Sequence, residues 1–443
     1  MKHTKLFAFV LMTALLAVPA TQALASGYNL AGTGSKALAM GGAFRGIADD
    51  WSAVFWNPAG LAGQGNSIYL EGKLLMPTST ITGTDPFLKS GETTSEDAMF
   101  PAGAFGMTYK INEKMTLGLG VYAPTAAGAT FNNLFAIEPT DMMGEDPGET
   151  DWDGMMTVID IHPSIGYQIN DKLSVGLGLT LKYGSVSFAY PIAYPTGYTS
   201  PMPEYLALYA AMEGTGIGFG ANIGILYDVT PKLHIGASYS SAASIGISGT
   251  MDQTLYSPSI LYGTVEATVD VEADFPTPQE AGLGIAYDVN DKLTVGVDVM
   301  WTNWTAVDVV PITVTGTDLS MTLGATTEPT DQELALNYED VIRFNLGAAY
   351  KFNEKLDLYV GYYYDPSAIP VEELDPAITD FVDKMNFSFG AKYMITPKIG
   401  AVGYYEYVFG KAREAEANPD GGNYAGWYDL TVGTISVGVT YLF

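Results

Sequence analysis

Apolar residues recur at every second position along much of this chain. Counting back from Tyr350 by twos gives Ala348, Leu346, Phe344 and Ile342, while the positions between hold Ala349, Gly347, Asn345 and Arg343. Forward from Leu173 the same period gives Val175, Leu177, Leu179 and Leu181 against Ser174, Gly176, Gly178, Thr180 and Lys182. A period of two is that of a β-strand. A soluble sandwich also alternates, but its bulky face points inward and its polar face outward. One face suited to lipid and one small, polar face suited to a lumen is the pattern of a transmembrane barrel.

A seven-residue repeat counts the strands. It reads Tyr, any residue, an apolar residue, Asn or Thr, Asp/Glu/Pro, Lys, then an apolar residue. It starts at Tyr109, Tyr167, Tyr227, Tyr287, Tyr350 and Tyr393, with its lysine at Lys114, Lys172, Lys232, Lys292, Lys355 and Lys398. Pairs such as Asn170-Asp171 and Thr396-Pro397 are turn chemistry. Alternating sequence on both sides makes each copy a tight hairpin, so six copies give twelve strands. A further strand fits Asn66 to Met76, with Ile68, Leu70 and Leu74 on one face and Glu71 and Lys73 on the other; another ends at Thr431 to Phe443. The expectation is all-β: a 14-stranded antiparallel transmembrane barrel, an even count that lets first and last strands pair. Its short turns would be periplasmic, with the recurring tyrosines forming an aromatic girdle. Tyr441 and Phe443 end the last strand outward, like an outer-membrane assembly signal read by the barrel assembly machinery. The opposite connections are long, about 78–98, 125–153, 189–213, 248–276, 311–338, 366–382 and 410–426.

Composition sharpens this picture. Lys2, His3 and Lys5 precede an apolar run from Leu6 to Val18, and Ala23-Leu24-Ala25 precedes Ser26, so residues 1–25 read as a secretory signal peptide. No later stretch offers the roughly 20 apolar residues of a membrane helix. The chain holds 47% apolar residues, 50 Gly and 29 Tyr with only 16% charged, unusual for a soluble enzyme of this size. Removing the leader takes away two lysines and leaves 18 basic against 49 acidic residues, a net charge of about −31. Such acidity speaks against nucleic acid. Zero Cys excludes thiol catalysis and Cys-ligated metals. Part of the acid lies in the long connections, at Asp141, Glu145, Asp146, Glu149, Asp151 and Asp153 and at Glu372, Glu373 and Asp375. Those groups are either a solvated outer surface or sites for divalent cations shared with lipopolysaccharide. The barrel is expected to be a monomer in outer-membrane lipid.

Gly27–Gly65 precedes the first strand and is rich in Ala, Gly and aromatics, so residues 26–65 are expected to plug the lumen that residues 66–443 enclose. Arg45, Asp49 and Asp50 would be its polar contacts with the wall. Parity places Lys182 and Arg343 inside the barrel as well. An unpaired buried charge is costly, so Arg343 should pair with Asp49, Asp298 or Glu406 or meet an anionic ligand. Asp160, His162 and Ser164 share an inward face, which invites a catalytic triad. An outer-membrane acyl hydrolase, however, needs its site on the lipid side, so pore lining is the reading, as it is for His234, and the chain is expected not to be an enzyme. With two His and no Cys in the mature chain, no metal cluster and no cofactor is expected.

The run Ile47-Ala-Asp-Asp-Trp-Ser-Ala-Val-Phe-Trp-Asn57-Pro58-Ala59-Gly-Leu61 resembles the hatch signature of the FadL-type outer-membrane transporters of long-chain fatty acids and aromatic hydrocarbons. The resemblance implies passive uptake of a hydrophobic molecule. It would be captured in an extracellular groove, pass to a pocket above the hatch, and leave sideways past a kink in strand three. Long-chain fatty acids are the expected substrate, with aromatic or alkane hydrocarbons by the same route, or a general porin for polar solutes, as alternatives. Tyr205, Leu208, Tyr209 and Met212 stand at helical spacing and predict a short amphipathic groove helix. Pro124 and Gly128 mark the lateral opening or an ordinary strand end. Arg343 and Lys182 are candidates to hold a ligand carboxylate.

Overall fold

The computed structural model describes residues 27–85, 88–96, 99–132, 134, 152–195, 205–256, 265–322, 326–374, 376, 380–416 and 424–443. The leader and the whole of the acidic stretch 135–151 therefore lie outside the described residues. The barrel strands are β1 (Ser67–Gly83), β2 (Phe100–Asn112), β3 (Met115–Phe131), β4 (Trp152–Asn170), β5 (Leu173–Pro195) and β6 (Tyr205–Thr230). Four strands come in two segments each: β7 (Leu233–Ser240, Ala243–Tyr256), β8 (Val265–Thr277, Glu280–Asn290), β9 (Leu293–Thr302, Val309–Gly316) and β10 (Gln332–Ala335, Val341–Lys351). Then follow β11 (Leu356–Asp365), β12 (Lys384–Met394), β13 (Ile399–Phe409) and β14 (Gly426–Leu442). Each pairs antiparallel with its neighbours, and β1 closes on β14 from Ser67↔Leu442 to Gly83↔Gly426. The fold is a closed fourteen-stranded barrel without edges.

The repeat's chemistry is visible at each turn. Asn112, Asn170, Asn290 and Asn353 accept the amide of the lysine two residues on at 2.9 Å, and Thr230 and Thr396 do so through Oγ1 at 3.2 Å. Each lysine carbonyl then accepts an amide from the next hairpin, as Lys114 does from Gln168 and Lys398 from Leu442, both at 2.8 Å. The repeat therefore stitches consecutive hairpins together as well as turning the chain. Parity holds on both faces. Leu179 and Val437 are 60% exposed to the lipid side, while Arg343 and Asn345 are 3% exposed inside.

Two expectations are corrected. The long connections start later than alternation suggested, because β1, β3, β4, β5 and β6 continue well past the apolar belt. The predicted groove helix is absent: Tyr205, Leu208, Tyr209 and Met212 belong to β6, where Tyr209 pairs with Pro191 and Met212 with Phe188 and Met251. Strand partners on both sides satisfy that backbone, and this outweighs the helical spacing of four apolar residues.

Residues 27–62 pack against inward-facing residues of the wall. Two short helices, α1 (Ser35–Ala39) and α2 (Ala53–Trp56), and a 3₁₀ turn at Pro58–Leu61 form a compact knot. Trp56, Phe44, Met40 and Leu61 are fully buried in it, and burying a side chain such as Leu61 stabilises by about 1.5–3 kcal/mol. The wall makes room with glycine. A Cβ on Gly176 would strike Pro58, one on Gly236 the Arg45 carbonyl, one on Gly347 Met40, and one on Gly361 Gly41. These positions lie on β5, β7, β10 and β11, so the knot is gripped from opposite sides of the barrel.

Candidate functional site: the lumen plug, its strap and the gap in the wall

Wall side chains satisfy the backbone of the knot. Asp298 Oδ2 accepts the amides of Phe44 and Arg45 at 3.1 and 2.8 Å, and the Arg45 guanidinium lies 3.5 Å from the same carboxylate. Arg45 also donates to Ser238 and stacks on Trp56, 5.3 Å from the ring. Asn222 and Asn345 donate to the carbonyls of Val54 and Gly41 at 2.8 and 2.5 Å. Asn57 donates through Nδ2 to the Arg45 carbonyl at 2.9 Å and to Ile225 of β6 at 3.0 Å, while its Oδ1 accepts the Ala59 amide at 3.2 Å. Pro58 opens the 3₁₀ turn, and Gly60 packs against Ala48, where a Cβ would collide. The Asn-Pro-Ala triplet thus joins the knot to the wall and caps its last turn.

Asp49 and Asp50 do not reach the wall as expected. Asp49 binds Lys36 at 2.6 Å, and Asp50 accepts the amide and hydroxyl of Ser52 at 2.9 and 2.6 Å. Both are held within the knot because their partners are nearby in sequence. Burial raises the Asp50 carboxyl, and the neighbouring Asp49 charge raises it further. Burial pushes Asp49 upward too, but the Lys36 ammonium and its hydrogen bond outweigh that and hold it below 3.8. A cluster that sequence reasoning missed anchors α1: the Ser35 amide and hydroxyl and the Tyr69 hydroxyl all donate to Glu71 Oε2.

Above the knot, residues 27–31 cross the lumen as a strap that opens on a turn at Gly27-Tyr28. The Gly27 amide donates to Asp380 at 2.6 Å. Tyr28 packs edge-on to Trp304 at 4.7 Å, beside Phe275 and Tyr338. At the other end Asn29 bridges to Thr125, and the Leu30 amide donates to the Pro124 carbonyl at 2.8 Å. Between these ends, the Ala31 carbonyl accepts Arg343 Nη1 at 3.1 Å.

The strap meets β3 where the wall is interrupted. In the β3–β4 ladder Tyr122 pairs with Asp160 and Thr125 with Val158, so Ala123 and Pro124 face Ile159 alone, a bulge that bends the strand. The β2–β3 ladder stops at Phe105↔Val121. Beyond it, among the described residues, the loop after β1 meets β3 again where the Glu96 amide reaches the Thr130 carbonyl at 2.9 Å. Gly128, at φ 142°, lies in this unpaired stretch.

On the extracellular side of the strap the lumen is greasy. Leu75, Ile81, Phe131, Trp152, Val186, Ile245, Phe381, Val408, Tyr428 and Leu430 form one buried apolar cluster with Tyr28. Beside the β3 bulge lies a polar chamber of about 70 Å³, bounded by Asn29, Phe55, Tyr122, Pro124, Asp160, His162, Lys182, Asn222, Ser240, Thr277 and Glu280, among others. Lys182 pairs with Asp160 at 3.1 Å. His162 contacts the Tyr122 hydroxyl at 2.6 Å and Asn222 at 3.1 Å. Asp160 is engaged by Lys182 and not by His162, and the Ser164 hydroxyl has no partner, so no triad forms. His234 sits between Asp228 and Asp288 at 2.5 and 3.5 Å, near the turn that ends β6. Arg343 pairs with Asp365 at 4.0 Å and lies 4.1 Å over the Tyr363 ring, instead of meeting Asp49, Asp298 or Glu406. Its Nε and Nη2 have no protein partner. The expected partners are taken: Asp298 by Arg45, Asp49 by Lys36, and Glu406 by the Tyr363 hydroxyl.

A closed membrane barrel whose lumen is filled by its own N-terminal segment, with an apolar outer half and a side gap, defines a channel for molecules that avoid water. The chain belongs to the family described as outer membrane protein transport protein (OMPP1/FadL/TodX), whose model matches residues 16–443. It is 25% identical to outer membrane protein P1 of Haemophilus influenzae over 443 residues, covering 91% of this chain and 90% of that protein. It is 23% identical to the long-chain fatty acid transport protein of Escherichia coli K12 over 453 residues, covering 95% and 96%. Among solved structures, a Pseudomonas aeruginosa FadL homologue superposes with a TM-score of 0.77 at 17% identity, covering 94% of this chain and all of that one (100%). The Pseudomonas putida toluene transporter TodX gives 0.76 at 18%, covering 94% and 99%. The protein is an outer-membrane transporter of hydrophobic substrates and not an enzyme.

Proposed function

We propose that the chain takes up long-chain fatty acids passively and releases them sideways, through the unpaired stretch between β2 and β3. The observation that carries this reading is the strap: Asn29 and Leu30 occupy the inner side of the β3 bulge, next to the apolar lumen. Residues 26–65 act as the hatch, Asn57-Pro58-Ala59 is its fixed shoulder, and movement of residues 27–31 opens the gap bounded by Pro124 and Gly128. Capture begins on the projecting wall that carries Tyr205, Leu208, Tyr209 and Met212. The two unpartnered nitrogens of Arg343 are positioned to take the carboxylate, with Lys182 as a further candidate. A chain of about ten methylenes gains roughly 8 kcal/mol on leaving water, so a greasy lumen and a lateral exit suit it where a wet pore does not.

The relatives named as fatty acid transport proteins support this substrate. A second reading, aromatic or alkane hydrocarbons by the same route, is favoured by the likeness to a toluene transporter and by a lumen in which Arg45, Lys182 and Arg343 each already face a carboxylate. A polar-solute porin has against it the knot that fills the barrel. Outward Tyr441 and Phe443 serve as the assembly signal, and the barrel works as a monomer in lipopolysaccharide-bearing lipid.

The chain lacks cysteine, so Asn29→Cys with Thr125→Cys gives a clean lock. Directly paired antiparallel residues have Cα atoms about 4.5–5.5 Å apart, within disulfide range. Cells carrying the oxidised double variant should take up radiolabelled oleate no faster than cells lacking the protein, with full rate restored by reductant. Undiminished uptake in the oxidised state would show that the strap is not on the route.

A further inference from the structure

Glu280 has no role so far. It opens the inner segment of β8, just after the break at Pro278-Gln279, and lines the polar chamber beside the β3 bulge. The charged and titratable groups around it come from every side: Arg45 from the plug, Asp160 and His162 from β4, Lys182 from β5, Arg343 from β10 and Asp365 from β11. The three cations each have a carboxylate of their own, Lys182 with Asp160 at 3.1 Å, Arg45 with Asp298 at 3.5 Å and Arg343 with Asp365 at 4.0 Å. Glu280 has no cation within ion-pair distance among the described residues. It is a fourth carboxylate set against three cations, so the chamber is biased negative. The remaining lining mixes the hydroxyls of Thr180, Ser240, Ser241 and Thr277 with apolar Leu30, Phe55 and Pro124. The chamber, about 70 Å³, lies directly beside the strap residues Asn29 and Leu30 and the bulge residue Pro124.

We propose that this chamber receives the polar head of an amphiphile on its way to the gap, and that Glu280 makes it refuse anionic heads. Alcohol, phenol and alkylammonium heads enter, and a carboxylate held at Arg343 passes only after taking a proton, since Lys182, the cation of this chamber, stays with Asp160. The inference rests on the transport reading and narrows it by head group. The physics is ordinary: Glu280 adds a like charge beside an incoming carboxylate, and Arg45, Lys182 and Arg343, each paired with a carboxylate of its own, offset that repulsion only in part.

The test measures equilibrium binding of dodecanol, dodecylamine and dodecanoate to the full-length mature protein in lipid nanodiscs, at about pH 8, where the amine and acid are both charged in water. In Glu280→Gln, dodecanoate should bind about tenfold tighter and dodecylamine about tenfold weaker, with dodecanol within about twofold of wild type. Glu280→Asp should keep the wild-type ranking. A uniform shift of all three ligands in Glu280→Gln, or an unchanged dodecanoate affinity while dodecanol binds, overturns the filter and leaves the transport reading standing. If Glu280→Gln fails to give a heat-modifiable barrel, Ser240→Asp, which adds an acid beside Glu280 on the paired strand, must weaken dodecanoate several-fold and spare dodecanol; an unchanged ranking overturns the proposal. Failure of wild type to bind any of the three overturns the transport reading and the filter with it.

Discussion

Leu30 and Pro124 are joined by a hydrogen bond of 2.8 Å, the amide of the strap donating to the carbonyl of the bulged strand. A proline has no amide to give a neighbouring strand, and the bulge leaves its carbonyl without a ladder partner in β4. The strap supplies the missing donor. One such bond contributes only about 1 kcal/mol net, so the contact can be broken and remade by thermal motion.

The deeper anchor should behave differently. Asp298→Ala leaves Arg45 buried without its carboxylate and two plug amides without an acceptor. Breaking a buried pair in this way costs about 3–5 kcal/mol. The plug should become sensitive to protease and single-channel conductance in planar bilayers should rise, while the barrel keeps its heat-modifiable mobility.

The glycine grip gives a second prediction. Gly361→Val would push a side chain into the backbone of Met40 and Gly41, and overpacking of this kind costs about 1–3 kcal/mol. Conductance should rise as it does for Asp298→Ala. Gly72, where a Cβ would meet nothing within 4 Å, provides the control: Gly72→Ala should stay within about 0.5 kcal/mol of wild type.

Arg343 separates substrates. Arg343→Ala should lower oleate uptake by about tenfold, the loss of one charge-assisted contact, and leave toluene uptake intact. Equal loss of both would assign Arg343 to holding the Ala31 carbonyl and nothing more.

Much of this architecture was legible because a membrane barrel imposes period two on every strand. Tyr350 with Ile342, and Leu173 with Leu181, gave the outward face, and the repeated lysine gave the hairpins. The inward placement of Arg343, Lys182 and His162 followed from the same parity. Partners did not follow. Asp365 lies opposite Arg343 in the register of the β10–β11 hairpin, where Phe344 pairs with Tyr364, a register that parity alone does not give, and Asp298 is met by Arg45 of the plug, a contact no local pattern reports. Tyr205 to Met212 misled because a four-residue apolar spacing fits a helix when the pairing partners lie in the preceding and following strands. Glu280 gave no signal at all, since its meaning comes from three cations on distant elements. The strap could have been suspected from Gly27-Tyr28-Asn29, but its landing place on Pro124 required the bulge.

The unequal strand lengths also govern where the protein meets its surroundings. β6 has 26 residues and β5 has 23, against 10 in β11 and 11 in β13. At about 3.3 Å per residue and a tilt near 40°, β6 rises roughly 65 Å, far more than the lipid band of about 25 Å. The rim is therefore lopsided, a one-sided awning that stands well clear of the lipid band. A water-shy molecule approaching from the water can touch protein on the tall side before it reaches the membrane, which shortens the polar distance it must cross unaided.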